Sequence, residues 1–188
     1  MIILASNSPR RKDILTEFGY SFSVVKSDFE EKGASKDPIE TALQFAKGKA
    51  QDVFDRLKDK RGAVVIGADT VVYSENKILG KPVDKKDAYK TLKSLSDKTH
   101  KVITAYAVIS EKTKIFGYDV SEVTFRRLSD NLIEEYVASG KPLDKAGSYG
   151  VQDGFDIVAC VNGSLYNVIG FPIEKIKPVL DGVLEKSL

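Results

Sequence analysis

The chain holds one cysteine and one histidine in 188 residues. A single cysteine excludes an internal disulfide and points to a reducing, cytoplasmic setting. Cys160 itself lies in the apolar run "FDIVACV" and reads as core. His100, in "DKTHKVIT", excludes a multi-histidine zinc site, and no spacing around it supports a Ser-His-Asp triad, so it reads as structural. Charge of one sign is also missing. With 29 basic against 27 acidic side chains, the net charge of +2 makes no general case for nucleic acid or membrane, and any anion site has to be local. No apolar run approaches the ~20 residues of a membrane span, and the opening "MIILA" is too short for a signal peptide. Neither GxGxxG nor GxxxxGKS/T occurs, which removes a Rossmann site and a P-loop. The chemistry left to this chain runs on carboxylates, lysines, arginines and a hard metal.

What is present is an α/β alternation with no low-complexity linker and no internal repeat, which predicts one mixed α/β domain over 1–188. "IILA" reads as a strand, "RRKDILTEFG" as a helix and "FSVV" as a strand. A long helix runs from Pro38 to about Leu57, with Asp37 as cap, Glu40 completing a capping box, and an apolar stripe of Ile39, Leu43, Ala46, Ala50, Val53 and Leu57. "AVVIGADTVVY" follows as a strand buried on both faces. A helix over Asp84 to about Leu95, a strand pair in "HKVITAYAVIS" and "KIFGYDVSEVTFRR", and a helix capped by Ser129 and closed by Gly140 come next. Asn162-Gly163 predicts a hairpin between two strands, and Pro172 opens a last amphipathic helix.

Four features invite chemistry. In "SNSPRR" a strand delivers Ser6, Asn7 and Ser8 to a helix start preset by Pro9; its free N–H groups, with Ser8 and Arg10, form an anion cradle, unless Ser8 is a plain cap. In "AVVIGADTVV", Asp69 sits inside a buried strand beside Thr70. An isolated buried carboxylate is costly, so it is held by backbone donors, binds a metal or serves as a general base. Gly67, on the same face, leaves room for a ligand. "SDFEEKG" sets Asp28, Glu30 and Glu31 in a loop as hard oxygen donors for Mg²⁺ or Mn²⁺. Lysines come from "LGKP" (Lys81) and "AKGKA" (Lys47 and Lys49), the latter two at opposite edges of the helix stripe, where pattern alone does not choose between them.

The segments "LASNSPRR", the Glu30-Glu31 pair, "AKGKA", "GADTVV", "LGKP", "SDKTHKVIT", "LDKAGSYGVQ" and "VNGSLYNVIGFP", in this order, resemble the Maf family of septum-formation-inhibitor-type nucleoside triphosphate pyrophosphatases. Phe171, where leucine is usual, is a minor departure. The resemblance implies a mixed α/β fold with a bent mixed sheet and two lobes around a cleft, related to inosine triphosphate pyrophosphatases. It implies that Asp69 accepts a proton, that Glu31 and Asp69 hold a divalent cation, and that Ser8, Arg10, Lys49 and Lys81 surround the triphosphate, which chooses Lys49 over Lys47. Arg11, Thr70 and Gln152 fall where the dTTP/UTP subfamily sets base specificity; the sibling subfamily acting on 7-methyl-GTP carries Trp, Gln and Glu there. The expected partner is a nucleoside triphosphate, modified pyrimidines included, with neither nucleic acid nor membrane; a homodimer is compatible with the family, as is a link to cell-division arrest. Two other readings stay open. An inosine triphosphate-type enzyme carries an "SxNxxK" opening that "SNSPRR" does not match, and a nucleotide-binding regulator of septum formation without turnover leaves Asp69, Glu31, Lys49 and Lys81 without a purpose.

Overall fold

The computed structural model describes residues 1–185; the last three residues of the expected 1–188 domain lie outside them. The elements run β1 (Ile2–Leu4), α1 (Pro9–Glu17), β2 (Phe22–Val24), α2 (Pro38–Arg56), β3 (Val64–Ser74), β4 (Lys77–Leu79), α3 (Lys85–Leu95), β5 (Thr99–Ser110), β6 (Lys114–Phe125), α4 (Asp130–Ala138), β7 (Val158–Asn162), α5 (Leu165–Ile169) and α6 (Ile173–Glu185), with two short 3-10 turns between α4 and β7. They build one α/β domain on a seven-stranded mixed sheet of order β2-β1-β3-β5-β6-β7, with β4 paired to β3. β1 is parallel to β2 and β3, and the remaining pairings are antiparallel. No helix among the described residues is long and apolar enough to cross a membrane.

The long strands β3, β5 and β6 carry a separate core at each end. Around Val64, Ile66 and Val108 the core is completed by α1 and α6 through Leu15, Ile176 and Leu180. Around Val72, Val102 and Phe125 it is completed by α3 and α4 through Leu92, Leu95 and Tyr136. These are the two lobes. On one side of β3, β1 pairs as far as Ile66 and β4 begins only at Val72. Gly67–Val71 therefore has no strand on that side, and the forked edge opens the cleft. Crevices at such breaks in strand order are where α/β sheets bind ligands.

The long helix behaves as its caps predict: Asp37 accepts from the N–H groups of Ile39 and Glu40. Glu40 does not close the box, because the Asp37 N–H donates to the Ser35 hydroxyl oxygen instead, and that hydroxyl in turn donates to Glu40. Gly67 is a correction. A Cβ there would lie 2.5 Å from the Ala46 carbonyl oxygen and 2.8 Å from the Ala50 nitrogen, so the space beside it holds the α2 backbone rather than a ligand. Asn162-Gly163 is another: β7 ends at Asn162, and Ser164 accepts from the Asn167 N–H to cap α5 instead of starting a strand. Packing decides this, since Asn167 is fully buried and hydrogen-bonded to β5. Cys160 is exposed, not core, because β7 is an edge strand paired only to the far end of β6 and nothing covers its outer residues.

The contact at Gly67 yields a stability prediction. Gly67→Ala forces α2 off the sheet, an overpacking cost of at least ~2 kcal/mol, and thermal denaturation should show the melting temperature lowered by roughly 4–8 °C. An unchanged melting temperature would mean that α2 gives way freely at this point.

Candidate active site

The cleft encloses a cavity of about 590 Å³ whose lining includes Ser8, Arg10, Arg11, Glu31, Lys49, Asp69, Thr70, Lys81 and Gln152. Every residue singled out in the sequence as a site candidate by resemblance is thus brought to one wall or another. Asp28 and Glu30 are not. Asp28 pairs with Arg56 and Glu30 with Lys32, so the acidic loop contributes Glu31 alone.

Asp69 projects from the middle of β3 and is 6% exposed. Its Oδ1 lies 2.6 Å from the Lys49 ammonium, which also reaches Glu31 Oε1 at 2.6 Å. Lys49 is brought there by helix geometry: Ala46 and Ala50 rest on Gly67, and residues three and four apart share a face, so Lys49 stands over Asp69, two residues along β3. Lys47 points elsewhere, its ammonium 4.5 Å from the centre of the Phe116 ring. The two carboxylates around Lys49 are pushed in opposite directions. Burial raises the Asp69 carboxyl above its ordinary value against the pull of Lys49 and Arg11. Burial also pushes Glu31 up, but the bond and charge of Lys49, helped by Lys81 and Arg11, outweigh it and hold Glu31 below its ordinary value.

At the opening of α1, Ser8 occupies the cap position without using its side chain as a cap. Its hydroxyl is left for a ligand, as are the N–H groups of Arg10 and Arg11 in the first turn, an arrangement suited to anions. Arg10 reaches Asp144 at 3.1 Å. Lys81, after β4, is exposed at the cavity rim and forms no ion pair among the described residues.

Arg11 is stitched into the wall. Nε donates to the Gly170 carbonyl (2.9 Å), Nη1 to the Ser6 hydroxyl (3.2 Å) and the Ala68 carbonyl (2.9 Å), and Nη2 to the Thr70 hydroxyl (3.3 Å). The bond to Ala68 fills the edge of β3 that no strand covers. Of five guanidinium N–H groups, one on Nη2 is left without a partner among the described residues. Across the cavity Gln152 is exposed, and its amide forms no hydrogen bond within the described residues.

The sequence reading missed Asp144, Lys145 and Tyr149, which also line the cavity. Lys145 is buried and spends its ammonium on the Lys141 carbonyl (2.5 Å), Asp144 (2.8 Å) and Asp153 (3.2 Å). Asp153 in turn accepts from Tyr136, whose hydroxyl accepts from the Gly150 N–H. The motif "LDKAGSYGVQ" contains these residues, but a lysine beside an aspartate is an ordinary surface pair until the fold buries it.

Among the described residues no group of three or more His, Cys, Asp or Glu side chains could hold a metal. Glu31 and Asp69 nonetheless fit a hard cation that brings its own ligands, since Mg²⁺ is commonly held by one or two carboxylates plus substrate phosphates.

A family model described as Maf-like protein matches residues 1–183. The chain belongs to the Maf family. Curated relatives that bear the name dTTP/UTP pyrophosphatase include a Thermococcus onnurineus protein, 46% identical over 93% of this chain and 93% of its own length. Similar proteins of that name are found in Aquifex aeolicus (47% identical; 95% and 93% covered) and Bacillus pumilus (46%; 96% and 95%).

Behind the wall, against Tyr149, lies a titratable group whose sequence context reads as structural. His100 is buried, its Nε2 is 2.7 Å from the Tyr149 hydroxyl, and its Nδ1 has no hydrogen-bond partner among the described residues. Burial lowers its pKa from 6.5 to about 4. The unfolded chain then binds the extra proton first, so the stability this neutral imidazole contributes is complete above pH 6.5 and is lost as pH falls toward 4, by up to ~1.4 kcal/mol per pH unit. Unfolding free energies from urea titrations between pH 7 and pH 4 should fall by up to that slope, and His100→Gln should flatten the fall. An equally steep fall in the variant would place the acid sensitivity elsewhere.

Proposed function

We propose that this chain is a nucleoside triphosphate pyrophosphatase that hydrolyses dTTP and UTP to the monophosphate and pyrophosphate. The observation that carries this is the buried Asp69, raised in pKa and bonded to a lysine, at the head of a cavity with an uncapped helix N-terminus and further cationic groups. The names of relatives 46–47% identical over more than nine-tenths of the chain support the substrate choice.

In this reading a water molecule attacks the α-phosphorus. Its oxygen forms the new P–O bond, the α–β bridging bond breaks, and pyrophosphate leaves with the bonding pair. Asp69 takes the proton, for which a carboxyl raised by burial is better suited than one at its ordinary value. Lys49 neutralises charge next to that base, while Arg10, Lys81, Ser8 and the first N–H groups of α1 surround the phosphate oxygens where charge develops. Glu31 and Asp69 would hold a divalent cation, Mg²⁺ or Mn²⁺, which supplies charge neutralisation for the phosphates and eases deprotonation of water. Arg11, Thr70 and Gln152 face the base.

The first test is the reaction itself. Chromatography of a UTP digest should give UMP and pyrophosphate, EDTA should abolish turnover, and Asp69→Asn should lower kcat by ~10² to 10⁴, the range for a lost general base, while still folding. Release of orthophosphate and UDP, or near-full turnover by the variant, would overturn the mechanism.

The second test is the base. Cytosine reverses two of the three groups on the pyrimidine pairing edge, and each buried group left unpaired costs about 1 to 3 kcal/mol. CTP should therefore be turned over at least ~10-fold less efficiently than UTP, and Gln152→Ala should narrow the difference. Equal kcat/KM values for the wild-type protein would sink the pyrimidine assignment and leave the pyrophosphatase reading standing.

A further inference from the structure

Thr70 carries a hydroxyl, and a hydroxyl that rotates freely can donate or accept. At this position the neighbours remove that freedom. Thr70 Oγ1 lies 3.0 Å from Thr104 Oγ1 on the adjacent strand β5. The Thr104 hydroxyl is 2.8 Å from the Asn167 carbonyl oxygen, an atom that only accepts, so the single Thr104 hydrogen is spent there. The hydrogen between the two threonines must then come from Thr70. On its other side, Thr70 receives a hydrogen from Arg11, which only donates. Hydrogens are thus passed in one direction, from Arg11 to Thr70 to Thr104 to the backbone of Asn167.

Asn167 holds the end of this chain in place. It is fully buried, and so is Thr104. Its Oδ1 accepts from the Thr104 N–H at 3.1 Å, and its Nδ2 donates to the Val102 carbonyl (3.0 Å) and the Ser121 hydroxyl (2.9 Å). Backbone partners of both kinds fix which end of the amide is which.

The outcome at the cavity wall is a fixed pair of adjacent groups. Arg11 has one N–H left on Nη2, and Thr70 has one lone pair left and no hydrogen to offer. Uracil and thymine present a carbonyl oxygen next to N3–H, an acceptor beside a donor, which matches. Cytosine presents an unprotonated N3, so its lone pair would face the Thr70 lone pair. We propose that Thr104 and Asn167 are specificity-determining residues that act through Thr70, by committing its hydrogen and leaving it an obligate acceptor for the N3–H of uracil or thymine. This rests on the reading that Arg11 and Thr70 face the base. Guanine carries the same acceptor-donor pair at O6 and N1–H, so the device separates uracil from cytosine and leaves the rejection of purines to other features of the cavity.

The test is Thr104→Val, which keeps the branched shape on β5 and removes the acceptor, freeing the Thr70 hydrogen to meet cytosine N3. The UTP to CTP ratio of kcat/KM should fall at least ~5-fold, a little under the tenfold that 1.4 kcal/mol represents, chiefly through a lower KM for CTP. Thr104→Ser restores the hydroxyl and should restore the ratio. A purely structural loss would reduce turnover of both nucleotides alike and leave the ratio where it was; that result, in a Thr104→Val protein shown to be folded by circular dichroism, would overturn the inference. So would a Thr104→Ser variant as unselective as Thr104→Val. A wild-type protein that did not distinguish UTP from CTP would overturn instead the base reading on which the inference rests.

Discussion

The site depends on how closely α2 lies against β3. Gly67 has no side chain, Ala46 and Ala50 have almost none, and the helix backbone comes down onto the strand between them. That contact sets the height and rotation of the helix, and with them the position of Lys49. A lysine has enough torsional freedom to wander when its stem is not held. Here the helix brings its base within reach of Asp69 and Glu31, and the ammonium is shared between both at 2.6 Å. Burial of Asp69 would be prohibitive for an unpaired charge; beside Lys49 it is tolerated and still leaves the carboxyl raised.

The second constraint is the fork in the sheet. β1 leaves β3 after Ile66 and β4 joins it at Val72, so five residues of a buried central strand face a gap instead of a neighbour. Such an edge has unpaired backbone groups, and the protein answers one of them with Arg11, which bonds the Ala68 carbonyl and at the same time the Gly170 carbonyl. Gly170 sits at the end of α5 with φ of 109°, a conformation that side chains resist, and this turns its carbonyl toward α1. One guanidinium thereby joins α1, β3 and the C-terminal end of α5 across the floor of the cleft.

Much of this was legible in the sequence. A carboxylate inside "AVVIGADTVV" is anomalous wherever it occurs, and Asp69 is the centre of the site; Pro9 and Ser8 announced a helix start whose cap is unspent. The periodicity of α2 locates its buried face in Ala46, Ala50 and Val53, while Ile39, Leu43 and Leu57 of the same stripe are only partly buried and Phe45 and Phe54 are buried instead. What failed depended on contacts between distant segments. A glycine beside Asp69 suggests room for a ligand, but the space is taken by the α2 backbone, and one sequence does not say which neighbour a glycine admits. Asn162-Gly163 carries the local chemistry of a hairpin, and the outcome was decided by Asn167, whose burial against β5 favours a helix. Cys160 lies among apolar neighbours, and only the topology reveals that β7 is an edge. Thr104 is illegible for the same reason, since its one hydrogen is committed to Asn167, far away in sequence, whereas the partners of Lys145 are sequence neighbours and only its burial is settled by the fold.

That commitment separates two kinds of recognition within one cavity. Around the phosphates, in the proposed reading, most groups are unspent: the Ser8 hydroxyl, the first N–H groups of α1 and the Lys81 ammonium have no partners to give up among the described residues, while Arg10 is held by the exposed Asp144. Charge does the work there, and positive groups of several shapes would serve a polyanion. Around the base the opposite holds. Arg11 and Thr70 have nearly all their hydrogen-bonding capacity taken by the protein, and recognition lies in what remains, one donor and one acceptor side by side. A hydroxyl with freedom would accept uracil and cytosine with little distinction, because it could turn its hydrogen to suit either. Selectivity at that wall therefore comes from depriving Thr70 of a choice, and the residues that deprive it are buried in β5 and α5, where they touch no ligand.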